Sequence, residues 1–225
     1  KLDANTLVIF TSDNGAATGS SLPWRGKKGS NFEGGVREPF IARWPGVIPA
    51  GRTHTGFLTS IDLLPSLAHL IGAPLPATRI DGQDLSALLL GKPRARGRDS
   101  FYYYSGQELQ AVRQGRWKLH FQHEFLTVAG PPGRDGKPAN FANMKPNAIE
   151  ESGIRGIASR HGYEVRPLSE SLFDLTTDPG ETHDVAAAHP AVVRRLRALA
   201  AEARQDLGDT LTGAARKNLR LPGGP

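Results

Sequence analysis

Two polar stretches near the start of the chain contain the residue types best suited to chemistry. Asp13 and Asn14 place a carboxylate and an amide oxygen side by side, a pair of hard oxygen ligands that suits Ca²⁺ or Mg²⁺. Arg25 and Lys28 follow in a basic loop that glycines interrupt, and cations beside a metal ion form a site for an anion. Each stretch alone has a plainer explanation, because Asp-Asn-Gly is common in turns and a basic loop is usually a solvated surface.

An apolar run, residues 7–10, precedes the Asp13 stretch and predicts the strand that positions it. The run is short and β-branched in its middle, a pattern typical of a strand buried in a parallel sheet that is covered on both faces. In open α/β sheets, ligands bind at the carboxyl ends of the strands, where Asp13 and Asn14 are expected. Residues 40–44 predict another short buried strand.

The remainder of the chain predicts the closing part of an α/β domain and then a smaller domain of a different kind. Apolar spacing predicts a helix over 61–71, with Ser60 as its N-cap and Gly72 after its end. Past the basic linker 92–98, short aromatic or alternating runs predict an antiparallel sheet, and an apolar stripe predicts a last helix that begins at Pro190. We therefore expect domains at 1–95 and 96–208 and a tail at 209–225, with a short helix at 85–90 and strands at 100–104, 110–113, 117–121 and 171–175.

One long segment, residues 128–168, has no sustained periodicity and is rich in Gly, Pro and Asn. A loop of this length inside a compact domain is usually functional or disordered. The segment is interpreted either as an insertion that borders the active site or as a plain surface loop.

Composition excludes several classes of site. The chain of 225 residues has no cysteine, which excludes disulfides, zinc-thiolate centres and a cysteine nucleophile within it. The net charge is +6, but the basic residues are scattered and form no nucleic-acid-binding pattern. No run approaches the roughly 18 apolar residues of a membrane span. Because the chain enters a strand almost at once, we expect a further portion of the protein upstream.

The motifs, taken in order, resemble the second half of a sulfatase, a family of the alkaline-phosphatase-like superfamily. The resemblance rests on the Ser-Asp-Asn-Gly that ends at Gly15, the Gly-Lys-Lys-Gly loop, and Phe-Glu-Gly-Gly-Val-Arg-Glu-Pro followed by Arg-Trp-Pro-Gly. It is strongest toward the arylsulfatase A and N-acetylgalactosamine-6-sulfatase type and extends to about residue 205. Later segments that share it are 60–65, 80–82, 117–121, 172–175 and 178–181.

The resemblance implies a fold and a set of roles. The fold is the end of a mostly parallel alkaline-phosphatase-like sheet plus a smaller antiparallel sheet packed by a helix. Asp13 and Asn14 match calcium ligands, with magnesium as an alternative, and Lys28 matches the lysine that contacts the sulfate and the leaving oxygen. Arg25 is a weaker candidate for the anion pocket, and His120 resembles a position near the substrate pocket.

Two neighbours of these residues are interpreted as structural. Lys27 is expected to be solvated, and Glu33 and Arg37 are expected to hold the loop as a local ion pair. The family's nucleophile is a formylglycine made from the Cys or Ser of a Cys/Ser-x-Pro-x-Arg motif, which the resemblance places upstream of this segment. The expected function is therefore hydrolysis of sulfate esters by a protein of which this chain contains part of the site.

Two alternatives remain open. The first is a phosphonate monoester hydrolase, phosphodiesterase or phosphatase of the same superfamily, although members that act on phosphoryl groups more often have His where Asn14 stands. The second is a non-catalytic remnant that binds an anion or a carbohydrate. The expected substrate is a sulfated small molecule, sugar or lipid. The resemblance favours a periplasmic or secreted protein, with the cytoplasm as the other possibility.

Overall fold

The computed structural model describes residues 2–16, 20–127, 164–218 and 220. The chain forms two compact units. The first consists of residues 1–11, 39–99 and 218–225, and the second of residues 12–38 and 100–217. Residues 12–38, with the polar stretches described above, group with residues 100–217.

The first unit contains a two-stranded sheet. Strand β1 (Val8–Thr11) pairs with β2 (Phe40–Arg43) in antiparallel register, with Val8 opposite Arg43. Phe10 in β1 is 62% exposed. The prediction of a strand buried in a parallel sheet is therefore not confirmed: every strand pair in the described residues is antiparallel. A strand is buried on both faces only where other elements cover it, and β1 pairs with β2 alone.

The helices of the first unit are fixed by local caps. A short 3-10 turn, Ser60–Asp62, leads into α2 (Leu63–Ile71). Thr59, rather than the predicted Ser60, caps this turn, and it forms a reciprocal capping box with Asp62. Gly72 ends α2 in the left-handed conformation, with φ at 68°, which costs glycine no steric penalty. Helix α3 (Ser86–Leu89) follows.

The second unit is built on a four-stranded antiparallel sheet. The first helix of this unit in the chain is the short helix α1 (Glu33–Val36). Its sheet has the order β3-β4-β5-β8, and the long helix α4 (Pro190–Leu207) carries Leu196 and Ala200 into the core formed with that sheet. No helix in the described parts of the chain is long and apolar enough to span a membrane. The strands are β3 (Ser100–Ser105), β4 (Glu108–Gln114), β5 (Trp117–His120), β6 (His123–Thr127), β7 (Glu164–Leu168) and β8 (Ser171–Asp174).

Strands β6 and β7 form a separate antiparallel pair. Residues 164–168 were expected to belong to a loop, so β7 corrects that prediction. Its sequence contains Pro167, and proline within a short run argues against a central strand. In a two-stranded pair, however, both strands are edges and proline is tolerated. The rest of the segment predicted as a loop, residues 128–163, lies outside the described residues.

Candidate functional site

The loop that follows β1 presents Asp13 at the surface and Asn14 half-buried. Ser12 Oγ donates a hydrogen bond to the Asn14 carbonyl oxygen at 3.1 Å. The buried Gly15 then donates its N–H to the carbonyl oxygen of Gly35 in α1 at 3.0 Å. The loop is thus anchored through its backbone, and the Asp13 side chain is exposed.

Glycines permit the close approach of this loop to α1. A Cβ atom on Gly15 would lie 2.6 Å from the Gly35 carbonyl oxygen, and one on Gly34 would lie 2.6 Å from that of Arg25. Real Cβ contacts do not occur at such distances, so no larger residue fits without a backbone shift. The two motifs Asp-Asn-Gly and Glu-Gly-Gly-Val therefore belong to one packed junction.

The loop that contains Lys28 meets the same junction. The Lys28 N–H donates to the carbonyl oxygen of Ala16 at 3.1 Å, and the Lys28 side chain is exposed. Lys27 has the opposite environment. It was expected to be solvated, but it is only 7% exposed, and burial lowers the pKa of its ammonium group. The backbone turns at this point, because Ser30 donates its N–H to the Lys27 carbonyl oxygen at 3.0 Å. Of the two lysines, Lys28 is the one a ligand can reach.

The oxygen donors fit a hard cation in part. An exposed carboxylate beside an amide oxygen is the ligand chemistry of Ca²⁺ and Mg²⁺, and Asp13 and Asn14 supply one oxygen group each. No group of three or more metal-binding His, Asp or Glu side chains occurs among the residues with described positions. A calcium ion here would therefore need further ligands besides these two.

Arg25, the weaker candidate for the anion pocket, is held by aromatic rings. Its guanidinium carbon lies 4.2 Å from the ring centroid of Phe32 and 4.9 Å from that of Phe125, within the range of cation–π attraction. Its Nη1 donates to the carbonyl oxygen of Glu181 at 2.9 Å. Burial lowers the pKa of Arg25 against the opposing charges of Glu181 and Asp178. These contacts hold the Arg25 side chain against Phe32, Phe125 and Glu181 within the second unit.

Arg25 also ends the segment Ser21-Leu22-Pro23-Trp24-Arg25, whose letters match the serine form of Cys/Ser-x-Pro-x-Arg. The expectation that this motif lies wholly upstream therefore needs a qualification. The Ser21 hydroxyl is buried, and the Ser21 carbonyl accepts the Trp24 N–H at 2.9 Å. With Arg25 held between two rings as well, the segment is built as a structural turn.

His120, which the resemblance places near the substrate pocket, lies in the interior of the second unit. Its side chain is fully buried, and its Nε2 lies 2.9 Å from Oε1 of Glu181. The imidazole stacks on the ring of Phe32 at a centroid distance of 4.8 Å. Burial lowers the pKa of His120 to about 4, despite the hydrogen bond with Glu181. His120 is therefore neutral at pH 7 and has no surface on which a substrate could contact it.

Beneath the lysine loop lies a cluster of buried ionic groups that sequence reasoning missed. We call Glu33, Lys118, Glu181 and His120 the buried charge cluster. Lys118 Nζ lies 2.9 Å from Oε1 of Glu33 and 3.0 Å from Oε1 of Glu181, and it donates to the Asn31 carbonyl oxygen at 2.6 Å. The other carboxylate oxygen of Glu181 accepts the Glu33 backbone N–H at 2.6 Å.

The charges in this cluster compensate one another. Burial alone would raise the pKa of Glu33, but the charge of Lys118 and the hydrogen bond from Arg37 outweigh it and lower that pKa to about 2. For Lys118 the directions are reversed: burial alone would lower its pKa, but the charges of Glu181 and Glu33 outweigh burial and raise it. The predicted ion pair between Glu33 and Arg37 is present, with Nε and Oε2 2.8 Å apart, as one part of this larger cluster.

One feature of the sequence and one backbone angle point to the cluster. Lys118 lies within a strand whose neighbours Trp117 and Leu119 are apolar, and a lysine buried there requires an acidic partner. Glu181 has a positive φ of 51°, which is uncommon outside glycine and indicates that the surrounding structure fixes the residue. The first signal is readable from sequence, but the identity of the partner is not.

Comparison with protein-family models gives two adjacent matches. Residues 1–73 match the model described as Sulfatase, and residues 96–219 match the model described as the C-terminal region of aryl-sulfatase. Human arylsulfatase A is 40% identical over 208 residues, which cover 86% of this chain and 37% of the relative. Dog N-acetylgalactosamine-6-sulfatase is 44% identical over 189 residues, or 80% of this chain and 34% of the relative. The chain thus spans little more than a third of the curated relatives it matches.

Solved structures give the same picture. The PsFucS1 sulfatase from Pseudoalteromonas sp. matches with a TM-score of 0.62 and 27% identity over 89% of this chain and 38% of that one. A Bacteroides thetaiotaomicron protein, studied for the metabolism of multiple glycosaminoglycans, matches with a TM-score of 0.60 and 27% identity over 91% of this chain and 40% of that one.

Proposed function

The chain belongs to the sulfatase family, and on this premise we propose that it contributes part of the active site of a sulfuric ester hydrolase. The observation that carries the proposal is the junction at Gly15, Gly34 and Gly35. There, the loop with the two oxygen ligands and the loop with the accessible lysine are joined through backbone hydrogen bonds. A carboxylate and an amide beside an exposed lysine on an adjoining loop are residue types that suit an anionic ester and a bound cation.

Asp13 and Asn14 would hold calcium, with magnesium as the alternative, together with ligands from outside this chain. When bound, the ion would stabilise negative charge on the sulfate oxygens during hydrolysis. Both residues present their side chains from a loop whose backbone is anchored at Gly15. Such anchoring reduces the ordering required when a ligand binds.

Lys28 would act at the leaving oxygen. Hydrolysis of a sulfate ester breaks the bond between sulfur and the ester oxygen, and that oxygen gains negative charge and finally a proton. An ammonium group held beside it stabilises the charge as it develops, and the same group can supply the proton. The exposed side chain of Lys28 on its anchored loop suits this role better than the buried Lys27 does.

The nucleophile is proposed to be a formylglycine in a segment outside this chain. Addition of water to its aldehyde gives a hydrate, and one hydroxyl group of that hydrate attacks sulfur. This part of the proposal rests on family membership and on the greater length of the relatives. The substrate is proposed to be a sulfated small molecule, sugar or lipid. The relatives are named arylsulfatase, N-acetylgalactosamine-6-sulfatase and steryl-sulfatase. These names span several kinds of sulfated substrate and do not select one for this chain.

The test uses the protein expressed from its complete native gene. We expect it to hydrolyse a nitrophenyl sulfate in preference to the corresponding phosphate and to lose that activity in a calcium chelator. The Asp13→Ala variant should require more calcium for half-maximal activity, whereas Asp3→Ala, which removes an exposed carboxylate paired with Arg43 in the first unit, should not. Preference for the phosphate would support the phosphoryl-transfer relatives, and calcium binding without turnover would support a binding remnant.

Peptide mass spectrometry of the same protein tests the nucleophile. We expect the mass of an aldehyde at a Cys or Ser upstream of residue 1 and an unmodified serine at residue 21. An aldehyde at Ser21 would overturn the assignment of the nucleophile to another segment. Absence of any aldehyde from active protein would exclude formylglycine chemistry.

A further inference from the structure

The loop that contains Lys28 has both of its ends attached to one residue. Before the loop, Arg25 donates from Nη1 to the backbone carbonyl oxygen of Glu181 at 2.9 Å. After the loop, Glu33 donates its backbone N–H to Oε2 of Glu181 at 2.6 Å. The two ends also meet directly, because Gly34 donates its N–H to the Arg25 carbonyl oxygen at 2.7 Å.

Glu181 is itself held rigidly by its neighbours. The residue is fully buried, and its Oε1 lies 3.0 Å from Lys118 Nζ and 2.9 Å from His120 Nε2. Lys118 reaches the loop as well, through its hydrogen bond to the Asn31 carbonyl oxygen. A buried carboxylate with partners on both oxygens is costly to move, because displacing it would leave a charge unpaired in an apolar environment.

We propose that Glu181 is a positioning residue for Lys28, and that the C-terminal sheet takes part in catalysis through it. The proposal rests on the role of Lys28 proposed above. Glu181 has no proposed contact with substrate or metal. Its role is to fix the ends of the loop from which Lys28 extends. An error of about 1 Å in the position of a catalytic group can cost about 100-fold in rate, so a loosened loop should slow turnover.

The first experiment measures the loop itself and needs no enzymatic activity. Trypsin cleaves after lysine, and the exposed Lys28 is a target within the loop. We expect Glu181→Gln to raise the rate of cleavage at Lys27 and Lys28 by about tenfold or more, since that rate follows the population of opened loop. Trypsin also cleaves after arginine, and sites outside the loop and its two ends should keep their wild-type rates.

Asp209→Asn provides a matched control. Asp209 is also buried, at 2% exposure, and it too combines an ion pair, with Arg204 at 2.8 Å, and a backbone hydrogen bond, from the Leu109 N–H at 3.1 Å. These two partners of Asp209 lie in α4 and β4 and not in the Lys28 loop. Its substitution should leave cleavage at Lys28 unchanged, and equal acceleration in both variants would overturn the proposal.

The second experiment measures turnover of the complete protein in a double-mutant cycle. Glu181→Gln should lower kcat by about 10- to 100-fold for sulfate esters with poor leaving groups. In the Lys28→Ala background, the same substitution should lower kcat less than about threefold, because the group that it positions is already gone. Full loss in both backgrounds would show that Glu181 acts through overall stability and would refute a positioning role.

Glu181→Asp carries the test if the glutamine variant does not accumulate as folded protein. Aspartate keeps the charge for Lys118 but shortens the reach toward the Glu33 N–H, so it should raise cleavage at Lys28 to a smaller extent. A complete protein without sulfatase activity would refute the proposed function, and the proteolysis result would still decide whether Glu181 holds the loop.

Discussion

The neutral state of His120 predicts a specific loss of stability in mild acid. The pKa of this buried imidazole is lowered from 6.5 to about 4. Between these values the unfolded chain binds a proton that the folded chain excludes, so stability falls as the pH falls from 6.5 to 4. A difference of that size corresponds to about 3 kcal/mol. Above pH 6.5 both states are neutral, and this contribution does not change.

The assay is urea unfolding at pH 7, 6, 5 and 4, followed by far-ultraviolet circular dichroism. The wild-type free energy of unfolding should fall by about 3 kcal/mol or more over this range. His120→Gln should be less stable at pH 7, because it loses the packing on Phe32. Its free energy of unfolding should nevertheless depend on pH less steeply, since glutamine does not titrate.

Two other histidines bear on this experiment: His123 accounts for pH dependence that remains in His120→Gln, and His183 provides a control substitution. Burial also lowers the pKa of His123, so some dependence on pH should persist in His120→Gln. His183 has a side chain that is 83% exposed, and His183→Gln should keep about the wild-type free energy of unfolding at pH 7, which controls for the substitution itself. Parallel curves for wild type and His120→Gln between pH 7 and 4 would refute the reasoning, because they would show that His120 titrates alike in both states.

Three further predictions follow from the packing and the site. Gly35→Ala would place a Cβ atom 2.5 Å from the Lys27 carbonyl oxygen, and it should lower the free energy of unfolding in urea by more than about 2 kcal/mol. Gly46→Ala, which has no atom within 4 Å of its new Cβ but a φ of 77°, should cost only about 1 kcal/mol, and equal costs would contradict the close approach. Leu196→Ala, at a fully buried position, should cost about 2–5 kcal/mol in the same assay; a cost below 1 kcal/mol would show that α4 does not pack as described. Lys28→Ala should lower kcat of the complete protein by about 10²- to 10³-fold for sulfate esters with poor leaving groups and by much less for nitrophenyl esters, whereas equal losses would argue against action at the leaving oxygen.

Elements with strong local signals were predictable from the sequence. The last helix has proline at its first position, an apolar stripe through Leu196 and Ala200, and Gly208 after its end, and it spans Pro190–Leu207 as a result. The turn at Gly115 and Arg116 separates β4 from β5, and glycine is a typical turn residue. In each case, the residues that determine the element lie within it or beside it.

The surroundings of an element were not predictable in the same way. The run 7–10 reads as a buried strand because it is apolar, but burial depends on what covers the strand, and Phe10 is 62% exposed. Strands β6 and β7 pair across a long stretch of intervening sequence, which leaves no short-range turn signal between them. Register and burial are properties of partners that a local pattern does not name.

In the candidate site, too, some features were predictable from the sequence and others depended on distant partners. The resemblance assigned the roles of Asp13, Asn14 and Lys28, and glycine spacing alone would not have joined their loops. Lys27 and Lys28 are adjacent and chemically identical, yet Lys27 is buried and Lys28 is exposed, a difference that depends on packing and not on residue type. Glu181 lies in one of the segments that share the resemblance, yet its partners lie far away in sequence, at the start of α1 and on β5.

The buried charge cluster is ionic because it hydrogen-bonds to backbone groups of the lysine loop. A buried ion pair seldom stabilises a fold more than well-packed apolar side chains would, so stability alone does not explain Lys118 and Glu181. Apolar side chains, however, offer no partner to the Glu33 N–H or the Asn31 carbonyl oxygen, both of which hydrogen-bond to the cluster. Glycines at the junction allow backbone to approach backbone but supply no side chains to fix it. The charged groups provide directional hydrogen bonds at that point, and the lysine loop gains a defined position at the expense of desolvated charge.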